Sequence, residues 1–201
     1  MIRVLICDDH LIVRQGIKQI LADADDIVLA GEAEDGPQAL QRVRLGGIDV
    51  VLMDIAMPYR DGLDVLRQLK SEFPKVPVLM LSTYPDKQYA VRSLKLGAAG
   101  YLNKSADSQQ MTSAIRKVAA GGLFITPTVA EHLASSIGAG QAKAVEAPLH
   151  ERLSHREYQV FRLLATGRTV STYRARVLEK TGARNDVELA LYAVRVDVMP
   201  V

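Results

Sequence analysis

Five short apolar runs punctuate the first 122 residues, each followed by an amphipathic stretch, and this alternation constrains the fold more than any other feature of the chain. The runs are Val4-Leu5-Ile6-Cys7, Ile27-Val28-Leu29-Ala30-Gly31, Val50-Val51-Leu52-Met53, Val76-Pro77-Val78-Leu79-Met80-Leu81 and Ala99-Gly100-Tyr101-Leu102. They are short enough for strands and too uniformly apolar for strands with one face in water. Between the first two, Leu11, Ile12, Ile17, Ile20 and Leu21 recur at helical spacing. A second helix is predicted after Asp35-Gly36-Pro37, with Asp35 as N-cap and Pro37 in the first turn. Further helices are predicted over 62–72, 86–96 and 108–120. Strands that each lead into a helix imply a parallel sheet covered on both faces, and right-handed crossovers leave few ways to order it. Residues 1–122 are therefore expected to form an α/β domain around a five-stranded parallel, doubly wound sheet.

The remainder differs in character. Residues 123–148 read as a linker, with one short helix near 127–137 and then a stretch of small residues without aromatics over 138–148. From Leu149 the pattern is helical. Ser154-His155-Arg156-Glu157 and Asn185-Asp186-Val187-Glu188 are capping boxes, the first ahead of Val160, Phe161, Leu163 and Leu164, the second ahead of Leu189, Leu191 and Val194. A small all-α domain is expected over 149–201. The 25 basic and 23 acidic residues leave a net charge of +2, which excludes a strongly basic coat or an acidic tail. From Leu149 nine basic residues face six acidic ones, a modest basic balance that suits phosphate contact. The single cysteine, Cys7, excludes a disulfide framework and fits a reducing cytosol. The N-terminus lacks the pattern of a signal peptide, and no apolar run approaches the roughly 20 residues that span a bilayer. A cytoplasmic protein with no membrane partner is expected.

Asp8, Asp9, Asp54 and Lys104 each fall at the carboxyl end of a predicted strand, the edge where open α/β sheets bind ligands. Singly, each has a plainer reading. Asp8 or Asp9 would as readily be a helix cap or turn former, Lys104 a solvated lysine, Ser82 a polar strand end, and Tyr101 a half-buried aromatic. The convergence of separate strands on one edge weighs against those readings. Carboxylates so gathered repel one another, and hard oxygen donors with water favour Mg²⁺ over zinc or copper. Lys104 would orient an incoming phosphoryl oxygen and Ser82 would donate a hydrogen bond to it. His10, His132, His150 and His155 show no ligand spacing and are not read as metal ligands. Met53 and Met57 read as packing.

Asp8-Asp9, Met53-Asp54-Ile55-Ala56-Met57-Pro58 with Asp61-Gly62, Leu81-Ser82-Thr83 and Gly97-Ala98-Ala99-Gly100-Tyr101-Leu102-Asn103-Lys104 follow in order along the first 122 residues. In this the segment resembles the flavodoxin-like receiver domain of two-component response regulators. The resemblance implies that Asp54 accepts a phosphoryl group from a sensor histidine kinase. It implies that Asp9 and Asp54, with the backbone carbonyl of Ala56, hold Mg²⁺, and that Asp8 assists through water. Lys104 would contact the acyl phosphate. Ser82 and Tyr101 would be a switch pair, Tyr101 turning inward as Ser82 swings to the phosphate. The chemistry is consistent, since a carboxylate is a competent phosphoryl acceptor and a metal neutralises charge in the in-line transfer. Such a protein is not an enzyme beyond its own phosphorylation and dephosphorylation. An aspartyl-phosphate hydrolase would carry a second Asp two residues after its nucleophile, where this chain has Ala56.

Leu153-Ser154-His155-Arg156-Glu157-Tyr158-Gln159-Val160, Leu163-Leu164-Ala165-Thr166-Gly167, the block from Thr169 to Gly182, and Asn185-Asp186-Val187-Glu188-Leu189-Ala190-Leu191 resemble the helix-turn-helix output domain of the NarL/FixJ (LuxR-type) subfamily. That implies transcription regulation at promoter DNA by a homodimer, with Ser171, Arg174, Arg176 and Lys180 on or near the recognition helix. One departure matters. The family has a whole scaffold helix and a turn between the equivalents of Gly167 and Thr169, where this chain has only Arg168. By the geometry of the motif about 14 residues are absent. A deletion in this chain and a stretch missing from the sequence as given both explain the gap. Without the bracing helix Val160, Leu164, Val177 and Leu178 would lose their cover and seek another surface. The alternative reading is thus a receiver with a defective output domain, working through protein contacts alone.

Overall fold

The strands and helices follow one another as the apolar runs require. The structure, a computed structural model, describes residues 1–57, 61–83, 87–127, 129–131, 153, 157, 160, 161 and 177–195. Its first part runs β1 (Ile2–Cys7), α1 (Leu11–Ala22), β2 (Ile27–Ala33), α2 (Gly36–Arg44), β3 (Val50–Asp54), α3 (Gly62–Glu72), β4 (Val78–Ser82), α4 (Lys87–Lys95), β5 (Gly100–Asn103) and α5 (Ser108–Ala119). The five strands lie in the order β2-β1-β3-β4-β5, every neighbouring pair parallel. This is the doubly wound, flavodoxin-like sheet. β3 and β4 are buried at every residue and β1 along residues 4–7, which is why their sequences do not alternate. β2, at the edge, leaves Val28 37% exposed.

Local chemistry sets the boundaries. β4 begins two residues after its apolar run does, because Pro77 has no N–H for the ladder. Its carbonyl instead accepts from the Val51 amide at 3.0 Å. The carboxylates of Asp35, Asp61 and Asp107 cap α2, α3 and α5, accepting from the amides of Gln38, Leu63 and Gln110 at 2.8, 2.6 and 2.7 Å. In α1 the expected face is corrected. Leu11 and Ile12 are 58% and 85% exposed, and the buried stripe is Arg14, Ile17 and Leu21. A charged residue holds the first place in that stripe because anionic and carbonyl partners surround it.

The first compact unit continues past residue 122. Phe124 forms a parallel bridge with Gly100, its amide donating to Ala99 O at 2.9 Å and its carbonyl accepting from the Tyr101 amide at 3.3 Å. The chain after α5 thus covers the open edge of β5. Gly100 permits this, since a Cβ there would stand 2.7 Å from the Phe124 carbonyl oxygen. The chain divides into compact units Met1–Gly138 and Ala139–Val201, so part of the expected linker belongs to the first unit.

In the second unit, α6 (Asp186–Arg195) begins at the second capping box. Asn185 Oδ1 accepts from the Glu188 amide at 2.9 Å, and the Glu188 carboxylate accepts from the Arg184 amide at 2.8 Å, one residue ahead of the cap. Leu153, Val160, Phe161, Val177, Leu189 and Ala193 are buried, with the Phe161 ring edge-on to Tyr192 at 5.9 Å. Val160 and Val177, expected to lack cover, are therefore covered within the chain, while Val187 and Leu191 of α6 are 70% and 63% exposed. Residues 154–156 of the first capping box, Leu164, and the expected helix beyond residue 131 lie outside the described residues. Among the described residues, no helix is long and apolar enough to cross a membrane.

Candidate functional site

Register gathers the site. Cys7 pairs with Met53, so the next residues, Asp8 and Asp54, emerge together from the carboxyl edge of β1 and β3. Asp54 pairs with Leu81 and Ser82 with Asn103, which brings the ends of β4 and β5 alongside. The Lys104 amide donates to Ser82 O at 2.8 Å, and this holds the loop after β5 against β4. α3 closes in from the other side. A Cβ on Gly62 would lie 2.0 Å from the Asp54 carbonyl oxygen, so only glycine admits this approach.

The Lys104 ammonium stands 2.6 Å from Asp8 Oδ2 and 3.0 Å from Asp54 Oδ2. Its side chain is 9% exposed and those of Asp8 and Asp54 are 0% and 3% exposed. The contacts are close but poorly directed, and neither oxygen completes a hydrogen bond. Asp9 lies at the rim, 29% exposed, with Oδ1 at 2.8 Å from His10 Nδ1. Asp8 Oδ1 accepts from the His10 amide at 2.8 Å and lies 3.3 Å from His10 Nδ1. Asp8, Asp9, His10 and Asp54 each offer a donor atom within 4.8 Å of the others. His10, set aside on sequence spacing, thus joins the cluster. Its adjacency to Asp8-Asp9 in a strand-to-helix loop was the available signal.

Three carboxylates meet one ammonium here, so negative charge is in excess. Burial pushes the Asp54 carboxyl above the usual carboxylate range. Lys104 opposes the rise, Asp8 adds to it, and a hydrogen bond from the Ala56 backbone lowers it again. Buried carboxylate oxygens without directed partners, beside a solvent-facing Asp9, fit a hard divalent cation such as Mg²⁺. Ser82 and Tyr101 are 1% and 7% exposed on β4 and β5, so Tyr101 is already turned into the fold. Burial and the Asp8 charge push the Cys7 thiol far up, which makes it an inert interior group. Pro58, Ser171, Arg174 and Arg176 lie outside the described residues. Lys180, read as a DNA contact, has its ammonium 2.6 Å from Oε2 of buried Glu157, an ion pair the sequence did not signal.

Residues 4–116 match the response regulator receiver domain. Over 209 aligned positions, covering 97% of this chain, it is 39% identical to response regulator GacA of Pseudomonas viridiflava, of which 96% is covered. Over the same span it is 35% identical to response regulator UvrY of Escherichia coli K12, of which 94% is covered. Among solved structures, the RcsB response regulator of Salmonella typhimurium is 25% identical with a TM-score of 0.62, over 96% of this chain and 98% of that one. That structure is described for its conformational dynamism in DNA interaction. This chain belongs to the response regulator receiver family, and is a response regulator of the NarL/FixJ type.

Proposed function

We propose that this protein is a phosphorylation-controlled transcription regulator whose phosphoacceptor is Asp54. The observation that carries the reading is the buried pair Asp8 and Asp54 sharing the Lys104 ammonium at the sheet edge. An Asp54 carboxylate oxygen attacks the phosphorus of a phosphohistidine on a sensor kinase. The new P–O bond forms as the P–N bond breaks, and the electron pair returns to the imidazole. Bound Mg²⁺, held by Asp9, Asp54 and the Ala56 carbonyl with Asp8 assisting through water, would neutralise charge on the transferring group. Lys104 moves from the carboxylates to a phosphoryl oxygen. Ser82 donates to another, and the Ser82–Tyr101 pair carries the change to the β4–β5 side of the domain.

The output is a cytoplasmic homodimer placing two helix-turn-helix domains on paired promoter half-sites, with Ser171, Arg174, Arg176 and Lys180 at the DNA. The full-length likeness to RcsB, described for its DNA interaction, supports this. A second reading has its own observation. The alignments to GacA and UvrY have 209 positions, more than the 201 residues of this chain, so those relatives carry residues that it lacks. This agrees with a scaffold helix missing after Gly167 and supports a receiver that acts through protein contacts alone.

Incubation with Mg²⁺ and acetyl phosphate, read by intact mass, tests the phosphoacceptor. Wild type should gain one phosphoryl group and Asp54→Asn none. A gel shift of the 201-residue chain with and without phosphodonor separates the two outputs. A phosphodonor-dependent shift supports DNA binding, and no shift supports the second reading.

A further inference from the structure

The acidic site has a buried cation behind it that the proposed chemistry does not use. Arg14 lies on the inner face of α1 and is 5% exposed. A buried charge persists only where partners satisfy it. Its Nε donates to Glu32 Oε2 at 3.1 Å and its Nη2 to Glu34 Oε1 at 2.6 Å. The third arm, Nη1, donates to the main-chain carbonyl of Asp8 at 2.8 Å. Glu32 is also held by Lys18 at 2.9 Å. That hydrogen bond, with the one from Arg14, keeps its carboxyl below the usual range.

The third arm bears on the site. The Asp8 carbonyl belongs to the planar peptide that joins Asp8 to Asp9, and fixing its oxygen fixes the direction in which Asp9 leaves the chain. The other side of Asp8 is already set, its amide donating to Ala33 O at 3.1 Å and its carboxylate lying against Lys104. Among the described residues, the Asp9 side chain has no such anchorage. Its partner is His10, whose side chain is 63% exposed. We propose that Arg14 is the positioning residue of the cation site, aiming the Asp9 carboxylate through the Asp8 carbonyl and thereby setting the affinity for a divalent cation. The inference rests on the phosphoacceptor reading and adds to it a residue remote from the reacting atoms.

The sign of the effect distinguishes positioning from charge. A cation near a metal site repels the metal, so charge alone predicts tighter Mg²⁺ binding when Arg14 is removed. Glu32 and Glu34 already offset that charge, so loss of aim predicts weaker binding. Arg14→Lys keeps the charge and loses the planar fork, while Arg14→Met loses both.

The test is Mg²⁺ titration of the full chain by calorimetry, with the rate of labelling by acetyl phosphate followed against Mg²⁺ concentration. Both variants should unfold cooperatively and bind Mg²⁺ about tenfold more weakly, the scale of lost outer supports in metal sites. Their labelling rate should return to the wild-type value at saturating Mg²⁺. A purely structural tie between α1 and β2 would lower stability and leave the half-saturating Mg²⁺ unchanged. Affinity equal to or above wild type in either folded variant overturns the proposal. If neither variant folds, Glu34→Gln loosens one arm from a 62% exposed carboxylate. It should weaken Mg²⁺ binding in the same direction, and unchanged affinity there also overturns the proposal. A wild-type chain that neither binds Mg²⁺ nor takes the label defeats the phosphoacceptor reading itself. A wild type that does both while the variants match it defeats only the role of Arg14.

Discussion

The burial of Asp54, the proposed phosphoacceptor, also works against the fold. Its carboxyl is raised above the ordinary range chiefly by burial, so ionising it costs more in the folded state than in the unfolded one. A carboxyl raised on folding contributes stability that is fully present below its unfolded value and is lost as pH rises through the folded one. At neutral pH the ionised form is therefore destabilising. Asp54→Asn should raise Tm, by roughly 2–4 °C for each kcal/mol regained in a chain of this size. The gain should shrink as pH falls toward the ordinary carboxylate range, where less of the ionised form is left to destabilise the fold. Thermal scans across pH check this, and a lower Tm for the variant at neutral pH would contradict it. Asp9→Asn should leave the fold intact, weaken Mg²⁺ binding and slow labelling even with Asp54 present. A Mg²⁺ titration identical to wild type would remove Asp9 from the site.

At the scale of elements, two glycines predict opposite outcomes. Gly62 starts α3 against backbone, with the Asp54 carbonyl oxygen 2.0 Å from where a Cβ would stand. Backbone on both sides cannot relax as a flexible side chain would. Gly62→Ala should therefore destabilise the domain by about 2–3 kcal/mol, and slow labelling by shifting the end of β3. Gly16 lies mid-helix in α1 with nothing within 4 Å of a Cβ. Gly16→Ala should stabilise by about 0.5–1 kcal/mol through helix propensity alone. Urea unfolding of the two variants decides both, and equal midpoints would mean that the α3–β3 approach is looser than described.

Across the whole molecule the open question is the output. The second unit buries Phe161, Val177 and Leu189 within the chain yet leaves Val187 and Leu191 of α6 exposed. Short helices with an uncovered apolar face are marginal alone in water. The intact chain should therefore associate more than a fragment ending at Gly138, the end of the first compact unit, at equal concentration. Sedimentation of both checks this, and equal, monomeric behaviour would count against it. If the scaffold helix after Gly167 is missing, the intact chain should also bind promoter DNA far more weakly than a version with that helix restored. A fluorescence titration at fixed, stated salt measures that difference, since phosphate contacts make affinity steeply salt-dependent. Tight, defined binding by the chain as it stands would favour a complete output.

The sequence by itself determined the strand count, the alternation of strand and helix, the caps at Asp35 and Asn185, and the edge where Asp8, Asp54 and Lys104 meet. These are legible because apolar periodicity and capping are properties of neighbours along the chain, and because a parallel sheet aligns strand ends. Tertiary structure alone decided that Arg14 is buried where Leu11 and Ile12 were expected. It also decided that His10 turns into the acidic cluster, that Phe124 covers β5 and that Lys180 pairs with Glu157. In a sequence a charged residue on a helix reads as solvated, and a residue after a helix reads as linker. Each acquires its place only when a partner far along the chain satisfies its charge or its hydrogen bonds, and that partner is supplied by the fold.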